Sequence, residues 1–269
     1  MNHTTAEESG FFSLWVMDHY YQIKGLFGEA YTDPMMESYT TLGYFAGLTE
    51  KAYLGVLVTG IIYRHPSVLM KMVNTLDILS GGRAYLGIGA AWYEDEAKGY
   101  GIPYPSTSER FEQLEDILQL ALHMWSGKTS EFKGKQITVP YPVNNPQPLT
   151  RPHPPILIGG QGERKTLRFV AQYADACNLF GRAGDDVLRN KLKVLQDHCR
   201  ELYRPYDEIE KTVLETFDPS NQNIEEVLTR FKELKEIGFS HVIFNLKGDY
   251  TPEAIAEFGE KIVPIIREL

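Results

Sequence analysis

The sequence predicts an α/β protein in which strand–helix units repeat around a parallel sheet. Apolar runs rich in β-branched and aromatic residues alternate with amphipathic stretches of helical period along the whole chain. The length of 269 residues agrees with this class, because α/β barrels of about 200 residues or more commonly fold as one domain. No linker divides the chain, so we predict a single domain over residues 1–269 with a Pro-rich insertion at about 127–155.

Each predicted strand is followed by a predicted helix. The strands are expected at residues 12–17, 53–59, 83–91, 155–158, 176–180, 212–216 and 241–246. The helices are expected at residues 35–49, 66–79, 109–126, 163–173, 185–203, 224–237 and 252–267. Asp33 and Pro34 have the residue types of an N-cap and a first turn, so we expect them to begin the first of these helices.

A closed (β/α)8 TIM barrel needs eight strands, one more than this count provides. Residues 6–10 have the character of the last turn of a helix whose preceding strand is absent. Two alternatives stay open: the barrel is open between its first and last strands, or the chain lacks a segment that its relatives have. A hairpin at 132–135 and seven prolines between 140 and 155 predict that the insertion covers the barrel rim.

Composition excludes several classes of function. A net charge of −9 without a basic run argues against a nucleic-acid partner. Cys177 and Cys199 are too few for a disulfide scaffold or a thiolate metal site, which favours a cytoplasmic protein. No signal peptide is recognisable at the N-terminus, and no apolar run approaches the roughly 18 residues of a membrane span. The seven histidines stand at no metal-ligand spacing, so we expect no metal site.

Residues suited to catalysis or ligand binding stand at three predicted strand ends, where barrel active sites lie. Asp18 and His19 follow the first strand, and an imidazole that titrates near neutrality suits proton transfer as well as it suits a strand cap. Small residues at 87 and 89–91 leave space for a flat ligand or make a tight corner. The Gly-Gly-Gln-Gly run at 159–162 precedes a helix and suits a phosphate, the alternative being a simple turn.

Two further groups have a structural interpretation that is at least as strong as a functional one. Glu94, Asp95 and Glu96 stand where acidic side chains compensate the dipole of a helix N-terminus, which is commoner than an acid/base pair. His65 precedes Pro66, so it either contacts a ligand or only starts the following helix.

Motifs in order along the chain resemble the bacterial luciferase-like monooxygenase superfamily, and most closely its oxidoreductases that use the deazaflavin coenzyme F420. The segments that carry the resemblance are Ser13–His19, Thr59–Gly60, Tyr63–Pro66, Leu79–Arg83, Leu86–Gly89 with Trp92 and Glu96, and Ile156–Gly160. The resemblance implies a (β/α)8 barrel of which the first strand is the missing one. It also implies F420 as the cofactor, with FMN as the alternative, at the carboxyl ends of the strands.

The resemblance assigns roles to individual residues. His19 is implied to lie beside the cofactor ring and to carry a proton, and Leu57–Val58 corresponds to a non-proline cis peptide that bulges against the ring. The loop 159–162 is implied to hold the cofactor phosphate, flanked by residues at the end of the next strand. The implied cofactor-binding residues are Asp18, Leu57, Val58, Thr59, Gly89, Ala90, Trp92, Gly159, Gly160, Gln161, Gly162, Asn178, Phe180 and Gly181.

The chain departs from the family pattern at Trp92. The sugar-phosphate dehydrogenases of the superfamily carry a catalytic acid at this position, so tryptophan argues against that activity and for an aromatic wall. The expected function is therefore F420-dependent hydride transfer, or FMN-dependent monooxygenation, on an unidentified small molecule. The alternative is a non-catalytic relative that has lost cofactor binding. Wide apolar bands on helices 35–49 and 66–79 predict a homodimer.

Overall fold

The computed structural model describes residues 2–25, 29, 31–218, 223–247 and 251–268. Its backbone contacts divide the chain into two compact units. The C-terminal unit comprises residues 1–14, 51–53 and 157–269, and the N-terminal unit comprises residues 15–50 and 54–156.

Strands and helices alternate along the chain in the predicted order. The strands are β1 (Ser13–Val16), β2 (Tyr53–Val56), β3 (Thr59–Gly60), β4 (Leu86–Gly89), β5 (Phe132–Lys133), β6 (Thr138–Val139), β7 (Ile156–Gly159), β8 (Ala176–Phe180), β9 (Glu210–Phe217) and β10 (His241–Leu246). The helices are α1 (Asn2–Glu8), α2 (Ser38–Ala46), α3 (Pro66–Leu79), α4 (Glu94–Gly99), α5 (Thr107–Trp125), α6 (Thr166–Tyr173), α7 (Asp185–Glu201), α8 (Ile224–Ile237) and α9 (Pro252–Arg267). Within the ranges described above, no helix is both long enough and apolar enough to cross a membrane.

The predicted bounds agree best with the structure for helices that begin at a proline or end at a glycine. The predicted bounds of α3, α8 and α9 are confirmed, as are those of β8 and β10. Both α3 and α9 have proline in the first turn, where its missing N–H costs no hydrogen bond. Gly238 ends α8 in the left-handed conformation that favours glycine.

The predicted start of α2 is wrong. Asp33 and Pro34 precede the helix, and the Asp33 carboxylate accepts from the Glu29 backbone N–H instead. The N-cap is Glu37, whose carboxylate accepts from two backbone N–H groups in the first turn. Arg64 also donates to the Glu37 carboxylate and so fixes it at this helix end. The contact with Arg64, 27 residues away, is not visible in the local sequence.

The sheet of the C-terminal unit is parallel, in the order β10-β9-β8-β7. Its register places Gly159 of β7 opposite Asn178 of β8, and Asn178 opposite Thr212 of β9. Helices α6, α7 and α8 cover this sheet through an apolar cluster of Leu167, Leu179, Leu188, Leu192, Val213, Leu234 and Phe239. The parallel order means that the carboxyl ends of these strands lie at one edge of the sheet.

In the N-terminal unit, β3 pairs in parallel with β4 so that Gly60 lies opposite Gly89. The Leu57 N–H donates to the Val16 carbonyl at 2.8 Å, which brings the end of β1 beside the end of β2. A bridge from Leu54 to Ala84 continues the pairing towards β4. Backbone hydrogen bonds thereby join the end of β1 to the end of β2, and the start of β2 to the chain just before β4.

The Pro-rich segment contacts the helices of the N-terminal unit. Its predicted hairpin is confirmed as β5–β6, and the Asp116 carboxylate of α5 accepts from three backbone N–H groups in the turn. Further along, the Asp77 carboxylate of α3 accepts from the N–H groups of Leu149 and Thr150. The Pro155 carbonyl then accepts from Leu86 N–H, at the amino end of β4. These contacts lie on α3, α5 and the amino end of β4, away from the strand ends that carry His19.

Candidate functional site

His19 follows β1 and forms a hydrogen bond with a buried carboxylate. Its Nδ1 lies 2.8 Å from Oε2 of Glu96, in the first turn of α4. The His19 side chain is 11% exposed and that of Glu96 is 0% exposed. An ionised carboxylate can only accept, so the proton of a neutral His19 must be on Nδ1. This leaves Nε2 as the proton-accepting atom, and it bonds to nothing in the described ranges.

Glu96 accepts from four groups around the site. Besides His19, its carboxylate accepts from the backbone N–H of Tyr20 at 2.5 Å, from that of Tyr21 at 3.3 Å and from the Tyr63 hydroxyl. Burial alone raises the pKa of Glu96, but the bonds from His19, Tyr63 and Tyr20 outweigh it and hold the pKa below its usual value. Burial, and then the bond to Glu96 and its charge, raise the pKa of Tyr63 well above normal. Glu96 is therefore an ionised acceptor and Tyr63 a neutral donor.

The sequence pattern predicts for Glu96 only a role at the dipole of a helix N-terminus, and that interpretation is incomplete. The N-terminal position is correct, because α4 begins at Glu94. The missed signal is the contrast along the turn: Glu94 and Asp95 are exposed, whereas Glu96 is buried beside Ala97. A carboxylate on the inner face of a helix needs partners, and here they include the end of β1, 76 residues away in sequence.

Asp18 is buried and fully engaged with donors of the protein. Its carboxylate accepts from the Ser38 hydroxyl at 2.7 Å, from Gly60 N–H at 3.0 Å and from both terminal nitrogens of Arg64 at 2.7 and 2.9 Å. Arg64 also donates to Glu37, so one guanidinium joins the end of β1 to the N-terminus of α2. Burial lowers the pKa of Arg64, but its bond with Asp18 and the charge of Asp18 dominate and raise it. Asp18 therefore fixes the position of the residue next to it, His19.

The segment between β2 and β3 follows the expectation from the family resemblance. The Leu57–Val58 peptide bond is cis, as predicted. Thr59 is buried, and its hydroxyl lies 2.8 Å from the Tyr39 hydroxyl of α2. His65 is the exposed N-cap residue of α3 and its side chain makes no capping bond.

The small residues of β4 have different reasons for being small. A Cβ at Gly87 would overlap the Val56 carbonyl oxygen, so this glycine permits close approach of two strands rather than of a ligand. Gly89 lies opposite Gly60 at the strand end, and the Ala90 carbonyl accepts from Arg110 Nε at 3.0 Å. Ala91 has φ of +59°, a left-handed turn that directs the chain into α4.

Aromatic side chains surround His19 and Glu96. Trp92 stacks on Tyr93 with ring centroids 5.1 Å apart, and the His19 ring lies edge-on to both, 5.8 Å from each centroid. The contacts continue through four more rings with centroid separations of 4.9–6.0 Å. We call this group the aromatic shell: Tyr20, Tyr21, Tyr63, Trp92, Tyr93 and Tyr100. Trp92 remains 58% exposed, so its indole is open to a ligand.

The glycine-rich loop of the C-terminal unit offers unpaired backbone donors. Gly160 has φ of +125° and donates its N–H to the Asn178 carbonyl at 3.2 Å. The next backbone N–H groups, at Gln161, Gly162 and Arg164, donate to nothing within the described part of the chain. Adjacent free N–H groups ahead of a helix attract an anion. The predicted start of that helix at 163 is wrong, because residues 163–165 form a turn and α6 begins at Thr166.

The next strand end completes this edge. Asn178 is buried, and its Nδ2 donates to the Thr212 hydroxyl at 2.8 Å. Gly181 follows Phe180 at the end of β8, where a Cβ would overlap the Glu215 carboxylate. The expected grouping of the 159–162 loop with Asn178 therefore occurs within the C-terminal unit. Thr212 cannot be found from the local sequence, because its partner Asn178 is 34 residues away.

The structure thus groups the predicted site residues into two sets. The set in the N-terminal unit is Asp18, His19, Leu57, Val58, Thr59, Gly89, Ala90 and Trp92. The set in the C-terminal unit is Gly159, Gly160, Gln161, Gly162, Asn178, Phe180 and Gly181. Among the residues that the structure describes, no three His, Cys, Asp or Glu side chains form a group able to hold a metal ion.

Curated proteins similar to this chain include F420-dependent enzymes. An F420-dependent glucose-6-phosphate dehydrogenase of Kineococcus radiotolerans is 31% identical over 67% of this chain and 48% of its own length. An uncharacterized protein of Mycobacterium tuberculosis is 28% identical over 60% of this chain and 55% of its own length. In both alignments the chain spans about half of the relative. The glucose-6-phosphate dehydrogenase of Microbacterium testaceum is 24% identical over 98% of this chain and 91% of its own length.

Solved structures confirm the predicted fold class, that of the luciferase-like TIM-barrel enzymes. An F420-dependent secondary alcohol dehydrogenase, solved with an F420–acetone adduct, has a TM-score of 0.86 and 19% identity over 99% of this chain and 93% of its own. The F420-dependent tetrahydromethanopterin reductase of Methanopyrus kandleri has a TM-score of 0.82 and 17% identity, covering 98% and 94%. A monooxygenase of Streptomyces bottropensis has a TM-score of 0.80 and 16% identity, covering 98% and 93%.

The match to a family model covers most of the chain and includes the motifs around His19, Glu96 and the glycine-rich loop. The model of the luciferase-like monooxygenases matches residues 3–247. This chain therefore belongs to the luciferase-like monooxygenase family of enzymes.

Proposed function

We propose that this protein is an F420-dependent oxidoreductase that interconverts an alcohol and a carbonyl group on a small organic substrate. The observation that carries the proposal is the His19–Glu96 pair, which fixes a proton on Nδ1 and leaves Nε2 as the reactive nitrogen. Similarity to F420-dependent relatives supports the choice of cofactor. We also propose that the substrate is a small molecule and that the protein is cytoplasmic. Both cysteines are free and buried, as is usual in reducing compartments.

One feature of the chain fits such a cofactor. The unpaired N–H groups of Gln161, Gly162 and Arg164 can donate to its phosphate, and Gly160 leaves the backbone uncovered. When bound, F420 supplies a carbon centre that gives or takes a hydride.

The residues of the chain supply the proton. In the direction of reduction, His19 donates from Nε2 to the oxygen of the developing alcohol, and in the direction of oxidation it accepts that proton. Glu96 keeps the imidazole oriented and stabilises its charged form through the Nδ1 hydrogen bond. Asp18 and Arg64 act by positioning, because their polar atoms already bond to each other and to the protein.

Titration of the purified protein with F420 and with FMN tests this function. We expect F420 to bind, and His19→Gln to lower the rate of hydride transfer about 10²-fold while binding persists. His123→Gln is a matched control, because His123 lies on α5 and bonds only to the Ser130 carbonyl, so its rate should equal that of the wild type. Binding of FMN alone would point to monooxygenation instead. Binding of neither cofactor would support the non-catalytic alternative.

We also propose that the protein forms a homodimer through α2 and α3. Tyr44 on α2, Leu48 directly after α2, and Val68 and Leu79 on α3 are exposed apolar side chains. We expect sedimentation at micromolar concentration to give twice the mass of one chain, and Val68→Glu to shift the protein towards the monomer. A wild-type protein that sediments as one chain would refute the dimer.

A further inference from the structure

We infer that the aromatic shell selects an uncharged, planar ketone, or the corresponding alcohol, as the substrate. This inference rests on the proposed function, because it assumes that the reacting oxygen is brought to His19. It narrows the substrate to compounds in which the carbonyl is conjugated to a flat ring or a polyene.

The geometry of the shell favours a flat molecule. Trp92 and Tyr93 are nearly parallel, with an angle of 17° between their planes, and His19 stands at 73° to Trp92. The His19 ring centroid lies 5.8 Å from that of Trp92, so a ring that stacks on the exposed indole lies close to the imidazole. Stacked aromatic pairs gain energy beyond the area they bury, and a puckered ring cannot reproduce that contact.

The charges around the shell exclude an anionic substrate. Asp18, Glu37 and Glu96 are carboxylates beside it, and Glu96 lies directly behind His19. The guanidinium of Arg64 already pairs with two of them. Arg110 donates to the carbonyls of Ala90 and Pro105 and covers Tyr104. A phosphate or carboxylate near His19 would meet the negative charge of these carboxylates, and the donors of Arg64 and Arg110 named above already bond to acceptors of the protein.

The chemistry at position 92 points the same way. The indole at Trp92 can donate one hydrogen bond, but it carries no charge that could pair with a phosphate. Tyr20, Tyr63 and Tyr100 continue the aromatic surface with ring separations of about 5 Å. The shell thus presents π surface and tyrosine hydroxyls but no positive charge, whereas a site for a sugar phosphate needs a cation for the phosphate.

Three ketones that differ in one property each test this inference on the cofactor-free protein. The probes are acetophenone, which is planar and neutral; cyclohexyl methyl ketone, which is neutral but not planar; and 4-acetylbenzoate, which is planar but anionic. Binding is measured by ligand-observed saturation-transfer NMR. We expect acetophenone to bind about tenfold more tightly than either of the other two.

Variants show whether the shell makes this selection. Trp92→Ala should weaken acetophenone binding about fivefold or more and remove its advantage over cyclohexyl methyl ketone. Tyr141→Ala is the control, because Tyr141 is an 83% exposed aromatic residue of the Pro-rich segment and lies outside the shell. It should leave all three affinities unchanged.

The outcomes separate this inference from the proposed function. Equal binding of the three ketones, tighter binding of 4-acetylbenzoate, or no effect of Trp92→Ala would each overturn the substrate class. If F420 still binds in the same preparation, the proposed function survives that result. Failure to bind F420 would overturn the function, even where the three ketones rank as expected.

Discussion

Replacement of Glu96 by glutamine is expected to lower the rate of proton-coupled hydride transfer about 10²-fold or more. An amide has one acceptor oxygen and an NH2 group, so it cannot accept from His19, the two backbone N–H groups and Tyr63 together. His19 then loses the acceptor that fixes its Nδ1 proton, and the population with a basic Nε2 falls. Steady-state kinetics against pH measures the loss as a lower kcat and an altered profile.

A second measurement distinguishes orientation of His19 from a general loss of structure. Nitrogen-15 NMR of the imidazole should show the Nδ1–H form of His19 in the wild type and a mixture of forms in Glu96→Gln. Glu94→Gln is the matched control, because Glu94 lies in the same first turn of α4 but is exposed and pairs only with Lys98. It should keep the wild-type rate. A Glu96→Gln enzyme with unchanged kcat and an unchanged imidazole spectrum would show that Glu96 has no positioning role.

The sequence was sufficient where the deciding interactions are local. Proline in the first turn and glycine after the last turn fixed the bounds of α3 and α8, because these residues act through their own backbone. The alternation of strands and helices predicted the fold class for the same reason. The cis peptide at Leu57–Val58 came from the family resemblance, since nothing in the two apolar residues themselves requires it.

The sequence was insufficient where a partner lies far away in the chain. Glu96 had the correct local environment, a helix N-terminus, but its function depends on which side of α4 faces the end of β1. Asp33 was a better local cap than Glu37, yet Glu37 caps α2 while it pairs with Arg64. Gly87 was predicted to leave space for a ligand, but the Val56 carbonyl occupies that space. Each of these errors came from one contact that spans tens of residues.

Replacement of Arg64 by methionine is expected to lower the free energy of unfolding by about 3 to 5 kcal/mol. Arg64 and Asp18 are 9% and 1% exposed, so removal of the guanidinium leaves a buried carboxylate with only Ser38 and Gly60 as donors. Loss of one partner of a buried pair is costly because the remaining charge stays desolvated. Urea unfolding at pH 7, followed by circular dichroism, measures the change.

Arg200→Met is the matched control for the loss of an arginine–aspartate pair. Arg200 donates to Asp197 at 3.0 Å, but its side chain is 73% exposed, so water screens the interaction. We expect a change of less than about 0.5 kcal/mol there. If Arg64→Met lowers the free energy of unfolding no more than Arg200→Met does, the buried cluster does not stabilise the end of β1.

The same cluster makes the effect of Arg64 depend on pH. Burial alone raises the pKa of Glu37, but bonds from Thr40 and Arg64 dominate and lower it from 4.5 to about 2. The unfolded chain therefore takes up this proton first as the pH falls, so the stabilisation is complete above pH 4.5 and is lost towards pH 2. The lowered pKa of Glu96 affects the pH dependence of the free energy of unfolding equally in the wild type and in Arg64→Met, so it cancels when the two are compared. Without Arg64 the pKa of Glu37 moves back towards its usual value, so the free energy of unfolding of Arg64→Met should decrease less steeply below pH 4.5 than that of the wild type. Equal slopes would mean that Arg64 does not set the ionisation of Glu37.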